Sequence, residues 1–155
     1  MGDWRHGWLA GSGLGLFGSE DGGSWAPVGN YPFRITSVRR QADRIVLSEG
    51  FGLWEVREPD RWVQLHDETL TEVLDLAPVP GDPGLVAASA YGVAVGRRDD
   101  LGVVRWSWRS DDLSVNERFS NAVATDPADP GRWVVGAEAG VLVAERNGGH
   151  WDRSR

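Results

Sequence analysis

The side chains best placed for acid–base work sit near the middle of the chain, where His66 is followed by Asp67 and Glu68. An imidazole beside carboxylates can move a proton near neutral pH. Paired carboxylates recur at Asp99-Asp100 and Asp111-Asp112. Two carboxylates about 5 to 10 Å apart can hydrolyse a glycosidic bond. Adjacent strand residues point to opposite faces, however, so these pairs are expected to occupy solvated loops, and no catalytic residue is assigned. Gly11-Ser12-Gly13-Leu14-Gly15 imitates part of a dinucleotide-binding glycine loop. An apolar run and a hairpin turn follow it where that motif needs an opening helix.

What the chain lacks narrows the chemistry further. All 16 basic residues are Arg, so no Lys is present to form a Schiff base or clasp a phosphate. There is no Cys, which removes thiolate nucleophiles, disulfides and Cys-based metal sites. His6, His66 and His150 are widely separated, and neither a metal nor a cofactor is expected. The net charge of −7 repels a phosphate backbone. Arg residues form no run longer than Arg39-Arg40 and Arg97-Arg98, so no nucleic-acid partner is expected. No stretch approaches the roughly 18 apolar residues of a membrane span, and the N-terminus lacks the apolar core of a secretion signal. The cytoplasm is therefore favoured over secretion. With 155 residues, 41% hydrophobic and 25% charged, the chain reads as a single globular domain over 1–155.

The elements that must position these residues are repeats. Segments Gly11–Trp25, Ser48–Trp62, Ser89–Asp100 and Ala137–Trp151 align on Gly15, Gly52, Gly92 and Gly140. In three of them a Trp follows ten or eleven positions later; the third carries an insertion before Trp106 or Trp108. A period near forty, with short apolar runs divided by Gly, Asp and Pro, fits one four-stranded β-propeller blade per repeat. Approximate blades are 1–30, 31–67, 68–113 and 114–155.

The last repeat divides most clearly, into strands at Asn121–Thr125, Trp133–Ala137 and Gly140–Ala144 and a fourth opened by Trp151. Pro127 and Pro130 cannot donate ladder hydrogen bonds, so they mark the turn between its first two strands. The second repeat predicts strands at Ile35–Arg39, Ile45–Ser48, Leu53–Val56 and Trp62–Leu65. The third predicts Val73–Ala77, Leu85–Ser89, Val93–Gly96 and Val104–Trp108. In the first repeat Trp8–Gly11 reads as a second strand, with Asp3–His6 as a candidate inner strand. No window carries a sustained helical period, and His66–Leu76 is the one place where a helical turn is expected. The fold class is all-β: about four blades of four antiparallel strands, closed by themselves or forming half of a larger ring.

Ser19-Glu20-Asp21-Gly22-Gly23-Ser24-Trp25 resembles the Asp-box of BNR-repeat β-propellers, the group that includes sialidase-like, YCF48-like and glycosidase-like blades. Asn147-Gly148-Gly149-His150-Trp151 is similar to a second copy, while Glu58-Pro59-Asp60-Arg61-Trp62 and Arg98-Asp99-Asp100 are degenerate. Both matched boxes are one residue short between the acidic or amide position and the Trp. Physically such a box is a staple. The Asp or Asn accepts backbone N–H bonds, the glycines take positive φ, and the Trp closes the gap between adjacent sheets. Ser19, Asp21, Gly23, Trp25, Trp62, Asn147 and Trp151 are accordingly assigned to structure. Tyr31-Pro32-Phe33-Arg34-Ile35-Thr36 also resembles the sialidase Arg-Ile-Pro segment, whose Arg clamps a carboxylate, with Thr36 in place of Pro. A complete sialidase site is not expected from four blades.

In a propeller, the loops between second and third strands gather at one end with those joining neighbouring blades. The ligand-binding residues expected there are Tyr31, Arg34, Phe51, His66, Glu68 and Tyr91. Equivalent turn positions hold Leu14, Phe51, Tyr91 and Ala139, so an array of identical sugar sites is not expected. Two functions follow. One is a non-catalytic module that recognises a protein or glycan through this loop face. The other is a glycosidase-like or lyase-like enzyme whose site is completed by oligomerisation. An arc of blades with exposed sheets invites a homodimer or association with another propeller half.

Overall fold

The computed structural model describes residues 7–154 and consists almost wholly of antiparallel sheet. Sheet 1 contains β1 (Trp8–Ser12), β2 (Gly15–Ser19) and β3 (Ala26–Pro27). Sheet 2 contains β4 (Ile35–Gln41), β5 (Arg44–Glu49), β6 (Gly52–Glu58) and β7 (Arg61–Gln64). Sheet 3 contains β8 (Val73–Pro78), β9 (Leu85–Ser89), β10 (Gly92–Arg98) and β11 (Val104–Trp108). Sheet 4 contains β12 (Ser120–Thr125), β13 (Trp133–Ala137), β14 (Gly140–Glu145) and β15 (His150–Ser154). Strands follow chain order within every sheet, the meander of a propeller blade. Three predicted strands, Leu85–Ser89, Val104–Trp108 and Trp133–Ala137, are observed with the same bounds, and the others shift by one or two residues at an end.

Register fixes which strands correspond. Ser12 pairs with Gly15, Glu49 with Gly52, Ser89 with Gly92 and Ala137 with Gly140. By this alignment β1 is the second strand of its blade, like β5, β9 and β13. The innermost strand expected at Asp3–His6, together with His6, lies outside the described residues. Two of the matched glycines have a steric cause that their spacing alone does not reveal. A Cβ on Gly52 would lie 2.2 Å from His66 Nδ1, and one on Gly92 would lie 2.1 Å from Ser110 Oγ. Gly92 also has φ of 136°, which disfavours any side chain.

Three apolar cores lie between four sheets. Leu9, Leu16 and Val28 of blade 1 meet Ile35, Ile45, Leu47, Val56, Trp54 and Trp62 of blade 2. Val46, Leu53 and Leu65 of blade 2 share a second core with Leu76, Leu85, Ala87, Trp106 and Trp108 of blade 3. Blades 3 and 4 join through Val86, Ala88, Val93 and Val95 against Val123, Trp133, Val135, Leu142 and Trp151. Among the described residues no core joins blade 4 to blade 1, so the blades form an open arc.

Polar side chains stitch the inner strands together. Asp75 on β8 accepts hydrogen bonds from Ser37 Oγ and Arg39 Nη2 of β4, both at 2.7 Å, through one carboxylate oxygen. Its other oxygen accepts the Val123 amide of β12 at 3.1 Å. Gln41 donates to the Asp82 and Gly84 carbonyls, and Thr125 to the Pro78 carbonyl. Between blades 2 and 3 the buried Glu55 carboxylate is ringed by Arg44, Arg57 and Arg98, which supplies the counter-charge that a buried carboxylate requires. Burial, then the neighbouring Arg98, pushes the Arg44 guanidinium pKa down.

One expectation is corrected. The helical turn is α1, Val115–Arg118, and not within His66–Leu76, where a turn leads directly into β8. The cause is a capping box: Ser114 and Glu117 bond each other's backbone N–H groups, and Ser114 Oγ donates to Glu117 Oε2 at 2.9 Å. Ser-x-x-Glu is legible at 114–117, whereas β-branched Val73 and the alternation after it favour strand at the other site.

Candidate functional site

Antiparallel order places the turns after β1, β5, β9 and β13 at the same end of the arc as the links between blades. The hairpins after β2, β6, β10 and β14, which hold the Asp-box-like turns, lie at the opposite end. At the latter end the Ser19–Trp25 turn makes the bonds that its residue types suggested. Asp21 Oδ1 accepts the amides of Gly23 and Ser24 at 2.8 and 2.9 Å and the Ser19 hydroxyl at 3.0 Å. The Ser24 and Gly23 amides chiefly, with help from Ser19, hold the Asp21 carboxyl below the usual carboxylate range. Trp25 donates its indole N–H to the Gly22 carbonyl, but the ring remains exposed because no described blade precedes it.

Asp99 performs the same service in blade 3, accepting the Leu101 and Val103 amides and the Arg105 guanidinium, mainly through Val103 held below its ordinary pKa. Asn147 takes the left-handed conformation, φ of 59°, in the matching turn of blade 4. Trp151 is buried and donates to the Arg109 carbonyl of the preceding blade at 2.8 Å. Asp99 of the Asp99-Asp100 pair is thus a turn staple.

At the loop end the expected ligand residues separate into two groups. Phe51 and Tyr91 project from equivalent turns, 78% and 57% exposed, and Leu14 holds the same position in blade 1 at 77%. Phe33, Val115 and Phe119 of the inter-blade links add further exposed apolar surface. Arg34 and Glu68 are exposed at this end. Tyr31 is used within the fold: its ring centroid lies 4.5 Å from that of Trp62, and its hydroxyl donates to the Asp60 carbonyl.

His66 also has a structural task. Its Nδ1 accepts the Leu53 amide at 3.0 Å, capping the start of β6, and its ring meets Trp54 edge-on. Ser110 does the same for Val93 at 2.8 Å in the next blade, so the two residues are positional equivalents of different chemistry. Asp67 turns to the Thr69 amide and hydroxyl rather than to His66. Glu49, buried at the base of the Phe51 turn, accepts the Phe51 amide and the Trp54 indole.

The linker between blades 3 and 4 holds a polar lock that the sequence reading did not single out. Glu117 on α1 pairs with Arg153 of β15 at 2.5 Å and accepts the Ser114 amide. That Arg and those Ser114 bonds lower the Glu117 pKa to about 2. Among the described residues no three His, Asp or Glu side chains are grouped to hold a metal ion, and no helix is long and apolar enough to cross a membrane. A recess of about 610 Å³ lies between blades 1 and 2 at the end that holds the Asp21 turn, lined by Asp21, Pro27, Val28 and Pro59 among others.

No family model and no curated protein matches this sequence. Solved structures do. The chain is similar to part of the extracellular domain of the one component system BT4673 from B. thetaiotaomicron, at 17% identity and a TM-score of 0.72. It covers 93% of itself and 19% of that chain. An ancestral GH74 enzyme is similar over 99% of this chain and 23% of its own, with 19% identity and a TM-score of 0.70. YCF48 from Cyanidioschyzon merolae aligns at 12% identity and a TM-score of 0.67, covering 94% of this chain and 52% of its own. The chain therefore spans less than a quarter of the first two and about half of the third. At these identities the likeness establishes the fold, a part-ring of propeller blades, and nothing finer.

Proposed function

We propose that the chain is a non-catalytic binding module of the Asp-box propeller type that recognises a protein partner through its loop face. The observation that carries this reading is the exposure of Leu14, Phe51 and Tyr91 at equivalent turns of three successive blades. Turn tips are ordinarily polar, and large apolar groups held out from a rigid sheet supply the anchors on which protein interfaces depend. The nearby titratable groups support the same reading. His66 and Glu49 are occupied with backbone and indole bonds that hold the turns in shape.

Glycan processing is the second reading, and the GH74 likeness bears on it only through the fold. The two are separated by presenting the immobilised chain both to a panel of oligosaccharides, with products followed by mass spectrometry, and to a library of unmodified proteins. A saturable protein partner competed by no oligosaccharide is expected. Cleavage of any oligosaccharide would instead establish the enzyme reading.

A further inference from the structure

The junction between blades 2 and 3 departs from the repeat in one place. By the register that matches Gly15, Gly52 and Gly92, the positions of Arg44 and Glu55 hold Gly7 and Gly18 in blade 1 and Gly84 and Val95 in blade 3. Blades therefore pack on one another without charges at these positions. A buried ion pair is also weak evidence for stability, because apolar residues of similar volume commonly serve as well.

The hydrogen bonds point to another use. Glu55 Oε1 accepts Arg57 Nε at 3.0 Å and Oε2 accepts Arg98 Nη2, so both oxygens are engaged. Arg44 Nη1 lies 3.7 Å from Oε2, beyond hydrogen-bond distance. Arg44 donates instead through Nη2 to two neutral acceptors, the Gln41 side-chain oxygen and the Pro83 carbonyl. Asp43, beside it in the chain, is exposed in the hairpin turn. Arg44 is thus a partly buried guanidinium held by uncharged groups next to a second guanidinium, and burial and Arg98 both work against its charge.

Arg40, Arg44 and Arg98 border a recess of about 700 Å³ between the β4–β5 turn and the Pro78–Pro83 turn. That volume falls within the range of small-molecule sites. The walls are fixed in place. Buried Gln41 donates to the Asp82 and Gly84 carbonyls, the Val79 amide donates to the Gly84 carbonyl at 3.0 Å, and Pro80 and Pro83 stiffen the turn. Asp82, the one carboxylate among the described lining residues, is taken up by Arg97 at 2.5 Å and the Gly84 amide at 2.6 Å.

We propose that this recess binds a phosphate or sulfate group, free or at the end of a larger molecule, between the guanidinium forks of Arg44 and Arg98. The planar fork matches an oxyanion with two parallel N–H donors. The chain's net charge of −7 opposes such an anion weakly at this range, because salt screens charges beyond about 8 Å. The site lies at the opposite end of the arc from the exposed turns of Leu14, Phe51 and Tyr91 and does not depend on what they recognise.

Isothermal titration calorimetry of the 155-residue chain at constant ionic strength, with inorganic phosphate, inorganic sulfate and glucose 6-phosphate, tests this. Saturable binding with a Kd of about 1 mM or tighter is expected for at least one of them. Arg44→Gln should weaken it about tenfold with an unchanged circular dichroism spectrum. Arg44→Lys, which keeps the charge and loses the fork, should weaken it less and serves if the first variant fails to fold. Arg61→Gln, which removes an exposed charge outside the recess, should change it less than about twofold. Tighter binding of glucose 6-phosphate than of inorganic phosphate would support a larger molecule carrying the group, and equal affinities the free oxyanion. No saturable binding of any of the three, equal binding by the unmodified chain and a folded Arg44 variant, or equal losses in Arg44→Gln and Arg61→Gln would each overturn the proposal.

Discussion

Trp25 and Trp151 hold the same place in their repeats, yet one is exposed and the other is buried. Among the described residues a blade packs before Trp151 and none before Trp25, so an identical residue serves as core in one setting and as open surface in the other. Trp133→Ala should cost about 3–5 kcal/mol, because it empties the centre of the junction between blades 3 and 4. Trp25→Ala, at an exposed ring, should cost less than about 1 kcal/mol. Urea denaturation of the two variants checks both values, and equal losses would mean that Trp25 is packed. Glu117 carries a dependence on pH. Its folded pKa of about 2 lies below the ordinary 4.5, so its contribution is complete above pH 4.5 and fades as pH falls towards 2. The stability gap between the native chain and Glu117→Gln should therefore close between about pH 4.5 and 2 in a series of thermal melts. A gap that is constant across that range would show that the carboxylate is not held by Arg153.

Among the elements, the inner strands depend on side chains where backbone pairing ends. Asp75 gathers β4, β8 and β12, and its removal leaves the Ser37 hydroxyl and the Val123 amide without their acceptor. Each such loss costs about 1–3 kcal/mol when buried. The Arg39 pair, partly exposed, adds less than about 1 kcal/mol. Asp75→Ala should accordingly destabilise by about 2 kcal/mol or more and quicken hydrogen exchange at the Val123 amide, while the Val135 amide of β13 stays protected. Uniform exchange at both sites would argue against a local clasp. The sequence reveals the strands well, because alternating apolar runs and Pro-rich turns are local signals: Pro127 and Pro130 mark the β12–β13 turn by themselves. It revealed the site less well. The roles of His66 and Tyr31 depend on long-range contacts, to Leu53 and to Trp62, that no local pattern encodes. The lock between Glu117 and Arg153 spans 36 positions and was equally hidden, although its Ser114 cap was legible.

For the molecule as a whole, two surfaces follow from one repeat. The sheet faces between adjacent blades repeat one packing pattern, while the loop end departs from it. There the positions of Leu14, Phe51, Tyr91 and Ala139 vary freely because no neighbouring blade constrains them. Recognition through these turns, as proposed, would then be separable from stability. The most direct measurement is the affinity of the protein partner for Phe51→Ala and Tyr91→Ala, read by biolayer interferometry beside a thermal melt of each variant. Each substitution should weaken binding by at least about 1 kcal/mol, roughly fivefold, and leave Tm within about a degree of the unmodified chain. Variants that bind as the unmodified chain does, or that melt early, would contradict a recognition surface at this end of the arc.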